Sequence, residues 1–164
     1  MGDPQTRATF MALERTHDDL EELLLQHQDA LLDRDFALAR ELFVRFDRGT
    51  RIHIEGEDGL LFPLYQARVR QRPGGGLVLF DAEHRKIEMH DQEILELIDA
   101  LPADDARARR AVVRLIEAEA LLKHLLDHHH TREHQFLFSG LDDVTTEDER
   151  RAILDRMAEL ARMG

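Results

Sequence analysis

The chain of 164 residues contains no cysteine. That absence excludes disulfides, thiolate metal sites, iron–sulfur clusters and thiol catalysis, so any metal chemistry rests on imidazole and carboxylate. Positive charge is scarce as well: 22 Lys and Arg stand against 34 Asp and Glu, a net charge of -12. Without a basic field, nucleic acid and anionic membrane are not expected partners. No apolar run approaches the roughly 20 residues that span a bilayer, and the N-terminus lacks the basic-then-apolar order of a secretion signal. The expectation is a soluble, cytoplasmic protein. The glycine-rich stretch Pro73-Gly74-Gly75-Gly76 lacks the Lys and Ser/Thr of a nucleotide cradle and reads as a connection.

Strand-like alternation of β-branched residues is nearly missing too, and apolar residues instead recur at the three-and-four spacing of amphipathic helices. The spacing predicts a first helix over about 5–31, with Phe10, Leu13, Leu20, Leu24 and Leu31 on one stripe. Asp33-Arg34-Asp35 breaks the pattern. A second helix runs from about 35 through Phe46 to Phe62, where Pro63 bends it or ends its first part. A third begins near Leu79 or Phe80 and stops at Pro102. A fourth opens near Asp104-Asp105 and reaches about Phe138, with Ser139-Gly140 closing it. Thr146, followed by three acids, caps a short helix over about 145–163. The predicted fold is a single all-α domain spanning residues 1–164. Its core is an antiparallel, up-down four-helix bundle over about 5–140, with a short fifth helix at the C-terminus.

Ten histidines are the conspicuous presence. Advancing about 100° per residue places one on the inner face of each long helix: His17, His53, His84 and His129. A lone inward imidazole is usually a satisfied core residue; four together carry more weight. Glu57 and Glu133 lie one turn after His53 and His129, about 6 Å away on the same face. No Lys or Arg shares their stripe, and a buried carboxylate survives by pairing or by binding a cation. The segments HIEGEDGLLF (53–62) and HHTREHQFLF (129–138) echo one another as H-x-x-x-E followed by Leu-Phe. Four neutral imidazoles and two carboxylates suit two first-row ions with a position left for an exogenous ligand. His128 and His130 flank His129 by about 100° on either side, so a rotated helix would present one of them instead. His124 with His128 forms an exposed i, i+4 pair. His27, His90 and His134 are expected at the surface.

With its parts in this order, the sequence resembles the hemerythrin family and, within it, the HHE cation-binding branch. The resemblance covers about residues 10–138. It rests on Leu13-Glu14-Arg15-Thr16-His17, on His53-x-x-x-Glu57 with Asp58 and Leu61-Phe62-Pro63, on Glu83-His84, and on His129-x-x-x-Glu133 with Leu137-Phe138. It implies that His17, His53, His84 and His129 are terminal ligands of a dinuclear non-haem iron site, with Glu57 and Glu133 bridging. Manganese or a mixed pair would satisfy the same ligands. Oxygen-carrying hemerythrins place a second histidine one turn after the one on the third helix, where this chain has Glu88. They end with an aspartate five residues after the last histidine, where this chain has Glu133 at four. Both departures favour the HHE branch, and the Leu-Phe-Pro ending is lost after Phe138. Glu88 either completes the ligand set, hydrogen-bonds an imidazole, or faces solvent. Glu14 and Asp58 read as surface or supporting residues.

The expected function is binding of dioxygen, nitric oxide or peroxide at a carboxylate-bridged centre, for sensing, storage or redox defence. Two other classes stand beside it: a di-iron enzyme that decomposes peroxide or activates oxygen, and a metal-free helical interaction module.

Overall fold

Asp33-Arg34-Asp35, where the apolar rhythm breaks, forms the turn between the first two helices. Arg34 takes a left-handed backbone (φ 65°), and Asp35 caps the next helix by accepting from the Leu38 amide at 3.0 Å. The computed structural model describes residues 7–102 and 105–164. The expected helix start near residue 5 and the acid Asp104 lie outside the described residues. Among the described residues the chain is all-helical, with no strand.

A tight turn at Phe10–Leu13, capped by Thr9, leads into α1, Glu14–Leu32. Next comes α2, Phe36–Gly56, which continues through a widened π-helical turn at Glu57–Leu61 into α3, Phe62–Arg68. Pro63 thus does not end this rod. It lacks an N–H and its ring crowds the carbonyl four residues back, a conflict that the wider turn before it relieves. The glycine loop then closes on the body of the protein. Gly74 has φ 88°, and Gly75 sits so near Phe136 that a Cβ there would lie 2.7 Å from the ring. The Tyr65 hydroxyl donates to the Gly75 carbonyl at 2.9 Å.

Helix α4 covers Leu77–Asp99 and α5 covers Asp105–Arg132. Ser139-Gly140 is not the stop expected of it: α5 passes through a second π-helical turn, Glu133–Phe138, into α6, Ser139–Val144. Gly140 serves close packing instead, since a Cβ there would lie 3.0 Å from Val69 and 3.3 Å from the Tyr65 ring. Helix α7, Glu147–Met163, begins at a capping box in which Thr146 and Glu149 satisfy each other's backbone amides.

Helix α1 packs on α2, α2 on α4, α4 on α5 and α5 on α1, while α7 lies against α2. Two apolar clusters fill the interior. One contains Leu20, Leu24, Phe46, Ile54, Ile87, Ile94 and Leu122; the other contains Phe10, Leu13, Leu61, Tyr65, Phe80, Leu137 and Phe138. On every long helix the inward histidine falls between members of the two clusters: His17 between Leu13 and Leu20, His84 between Phe80 and Ile87. A polar layer therefore lies between two apolar clusters. No described helix is long and apolar enough to cross a membrane.

Candidate metal centre

The layer consists of His17, His53, Glu57, His84, His129 and Glu133; Glu57 and Glu133 are fully buried, and the His53 side chain is 8% exposed. Their donor atoms form two overlapping groups, one of His17, His53, Glu57 and Glu133, the other of Glu57, His84, His129 and Glu133. Within each group the atoms lie within 4.8 Å of one another. Both carboxylates belong to both groups. Glu57 turns Oε1 to His53 Nε2 at 3.3 Å and Oε2 to His84 Nε2 at 3.3 Å. Glu133 turns Oε2 to His17 Nε2 at 3.4 Å and Oε1 to His129 Nε2 at 2.8 Å. His17 and His53 bring their Nε2 atoms to 2.9 Å. Each of the four imidazoles thus directs the same ring atom inward, and each carboxylate presents one oxygen to either side.

These approaches leave the carboxylates unsatisfied. All four oxygens of Glu57 and Glu133, and His84 Nε2, are buried without a hydrogen-bond partner among the described residues. A buried carboxylate left unmet costs several kcal/mol. Apart from the His17–His53 contact, nitrogen and oxygen donors crowd into one volume while the four carboxylate oxygens lack hydrogen-bond partners, an arrangement that suits cations placed between them. The residues fit metal ions: imidazole nitrogen and carboxylate oxygen are ligands for first-row metals, and the two carboxylates shared by both donor groups would offset positive charge.

Two imidazoles are held from behind. Asp58 meets His84 Nδ1 at 2.9 Å, and Glu83 meets His129 Nδ1 at 3.1 Å while also accepting from Arg132 Nε at 2.9 Å. A carboxylate behind a histidine fixes the tautomer that leaves Nε2 free to ligate. Asp58 thus takes the supporting place that the sequence left open. Glu83 was legible only as part of the Glu83-His84 pair, and its partner on another helix gave no sequence signal.

Burial opposes charge on every imidazole here, and the neighbours decide the outcome. Burial, then His130 and His53, pushes His17 down to about 2. His84 resists the same burial: Asp58, Glu133 and Glu57 lift it to about 11. For His129, Glu133 and Glu83 overcome burial and raise it to about 9. Glu57 is favoured as neutral by burial, yet His53 and His84 hold it well below the usual carboxylate range. A cation entering the layer competes with those protons.

His129 keeps the inward position, and His130 instead stacks flat on His17, ring centres 3.7 Å apart and planes 4° from parallel. His128 and His124 are exposed and meet edge to face. Glu88 belongs to neither group. Ile87 and Asp91 take the inward positions of α4, leaving Glu88 roughly 60° round the helix, half-buried and within electrostatic reach of Arg51 and Asp91. Glu14 pairs with the exposed His134, and His90 is half-buried beside Glu93.

His27 departs from the expected surface position and is fully buried. Its Nδ1 donates to the Ala39 carbonyl at 2.6 Å, and its Nε2 joins buried Glu119 at 2.7 Å. The signal was present: Leu20, Leu24, His27 and Leu31 follow the core spacing of α1, and Leu115, Glu119 and Leu122 that of α5. Gln28 donates to the other Glu119 oxygen at 2.8 Å, so this pair is satisfied, unlike the carboxylates of the layer. Compared with known proteins, the chain matches no family model, no curated protein and no solved structure.

Proposed function

We propose that the chain is a hemerythrin-like protein of the HHE type. In this reading it is an antiparallel, up-down four-helix bundle with a fifth helix, in which His17, His53, His84, His129, Glu57 and Glu133 would hold two non-haem iron ions. It binds dioxygen, nitric oxide or peroxide for sensing, storage or redox defence. The observation that carries the reading is the set of four orphaned carboxylate oxygens ringed by four Nε2 atoms, with no hydrogen bond to account for them. The satisfied His27–Glu119 pair is what a merely structural histidine and glutamate look like in this same chain. That contrast argues against a metal-free module.

Bound iron would supply an open coordination position and one-electron redox chemistry. The chain's own residues do the rest. His17, His53, His84 and His129 hold the ring nitrogens in place, and Asp58 and Glu83 fix the orientation of two of them. Glu57 and Glu133 offset the cation charge, and the apolar clusters flank the layer on either side.

The test is to purify the protein under iron loading and count metal per chain. Two irons are expected, with a near-ultraviolet absorption band that shifts on adding azide or peroxide. Glu57→Ala and His129→Ala each lose metal and band. Fewer than about one iron per chain, or a content unchanged in both variants, ends the proposal.

A further inference from the structure

Beside the polar layer lies a cavity of about 100 Å³ whose walls include His17, His53 and His129. Its exposed lining residues, Glu21 on α1 and Asp127 on α5, mark a mouth between those two helices. A water needs only about 10–15 Å³ measured in this way, and a dry cavity of roughly 150 Å³ takes benzene. The space therefore exceeds what a diatomic ligand fills and suits about four or five carbon atoms. The larger part of its wall is apolar, built from Leu20, Leu24, Phe46, Ile54, Ile87 and Leu126.

Two polar groups in the wall are not used by the metal layer. Thr50 is buried, and its hydroxyl has no hydrogen-bond partner among the described residues. His130 lines the same wall and lies flat on His17. A buried hydroxyl left unmet is costly, and a ligand that meets it recovers the cost. The wall carries no carboxylate inside the mouth and no cation but Lys123, while Glu21 and Asp127 repel anions at the entrance. A neutral guest suits these walls better than a charged one.

We propose that this cavity binds a small neutral alcohol-type molecule, its carbon body against the apolar walls and its oxygen hydrogen-bonded to Thr50, with His130 as the second polar wall. The proposal deepens the metal-centre reading and rests on it only in placing the guest beside the cations. A centre built for diatomic ligands alone has no need of this volume or of the unmet hydroxyl.

The test is an NMR titration with 1-butanol, run on iron-loaded and on metal-free protein whose metal content is measured in the same samples, with 1-octanol as an over-long control. Saturable one-to-one binding of 1-butanol is expected, with none for 1-octanol. Thr50→Val, which melts no lower than wild type because its hydroxyl is unpaired, weakens binding roughly three- to tenfold, the worth of one net hydrogen bond. Leu126→Trp fills the space and abolishes binding. Absence of saturable binding to either form, or an affinity unchanged in Thr50→Val, overturns the proposal. Thr50-dependent binding to a protein that takes up no metal leaves the cavity proposal standing and removes the metal reading.

Discussion

Asp58 and Glu83 each hold a histidine through the nitrogen that faces away from the layer. Loss of such a support typically lowers metal affinity about 10- to 100-fold. Asp58→Asn and Glu83→Gln are therefore expected to weaken iron binding by that factor in a competition titration while leaving helix content by circular dichroism unchanged. Asp91 is a different case. It is fully buried on the inner stripe of α4, and both of its oxygens lack a partner among the described residues. Burial, then Asp47, pushes its carboxyl up to about 8 against the pull of Arg51. The folded protein thus binds a proton that the unfolded chain releases near pH 4, and stability falls as pH rises between these values. Asp91→Asn removes the loss, so denaturant unfolding of variant against wild type shows a relative gain at pH 8.5 over pH 5 of up to about 4 kcal/mol. A difference independent of pH would contradict this. At this scale periodicity told which face His17, His53, His84 and His129 occupy. It could not tell what meets them from another helix, which is why the role of Glu83 was not legible; Asp91 and Glu119 do follow the apolar spacing of α4 and α5, and only their charge argued for the surface.

The two π-helical turns begin at Glu57 and Glu133, the two carboxylates shared between the donor groups. Such turns carry one residue more than a regular helix and are frequent at functional sites. The echo between residues 53–62 and 129–138 was legible as sequence; the shared backbone distortion was not, because Pro63 marks only the first and no residue type marks the second. Helix ends divide in the same way. Asp35 and Thr146 announce their helices through local hydrogen bonds, whereas Ser139-Gly140 mimics a stop that close packing against Val69 and Tyr65 overrides. Two substitutions test the local reading. A Cβ at Gly59 would meet nothing within 4 Å, so Gly59→Ala raises the unfolding free energy by about 0.4–1 kcal/mol. Thr146→Ala breaks the capping box of α7 and costs about 1 kcal/mol. Chemical denaturation checks both, and a destabilising Gly59→Ala would show that the widened turn needs glycine.

On the scale of the whole molecule, a cysteine-free acidic chain buries six ligand-type side chains in one layer between two apolar clusters. The all-helical class and the meeting of those six residues were legible because each helix repeats the same amphipathic rhythm. The cavity beside Thr50 was not, since it forms where side chains from several helices leave space. A cation bound only by the folded state stabilises it by mass action, and iron held about 1,000-fold above Kd is expected to raise Tm on the order of 10 °C. Differential scanning calorimetry with and without a chelator reads this directly, and an unmoved Tm would speak for a metal-free bundle. The most direct measurement of the central claim is an anomalous-difference map from crystals of the iron-loaded protein. The account predicts two peaks about 3.5–4 Å apart with Glu57 and Glu133 between them. No peak in the layer, or iron bound only at surface histidines such as His124 and His128, would contradict it.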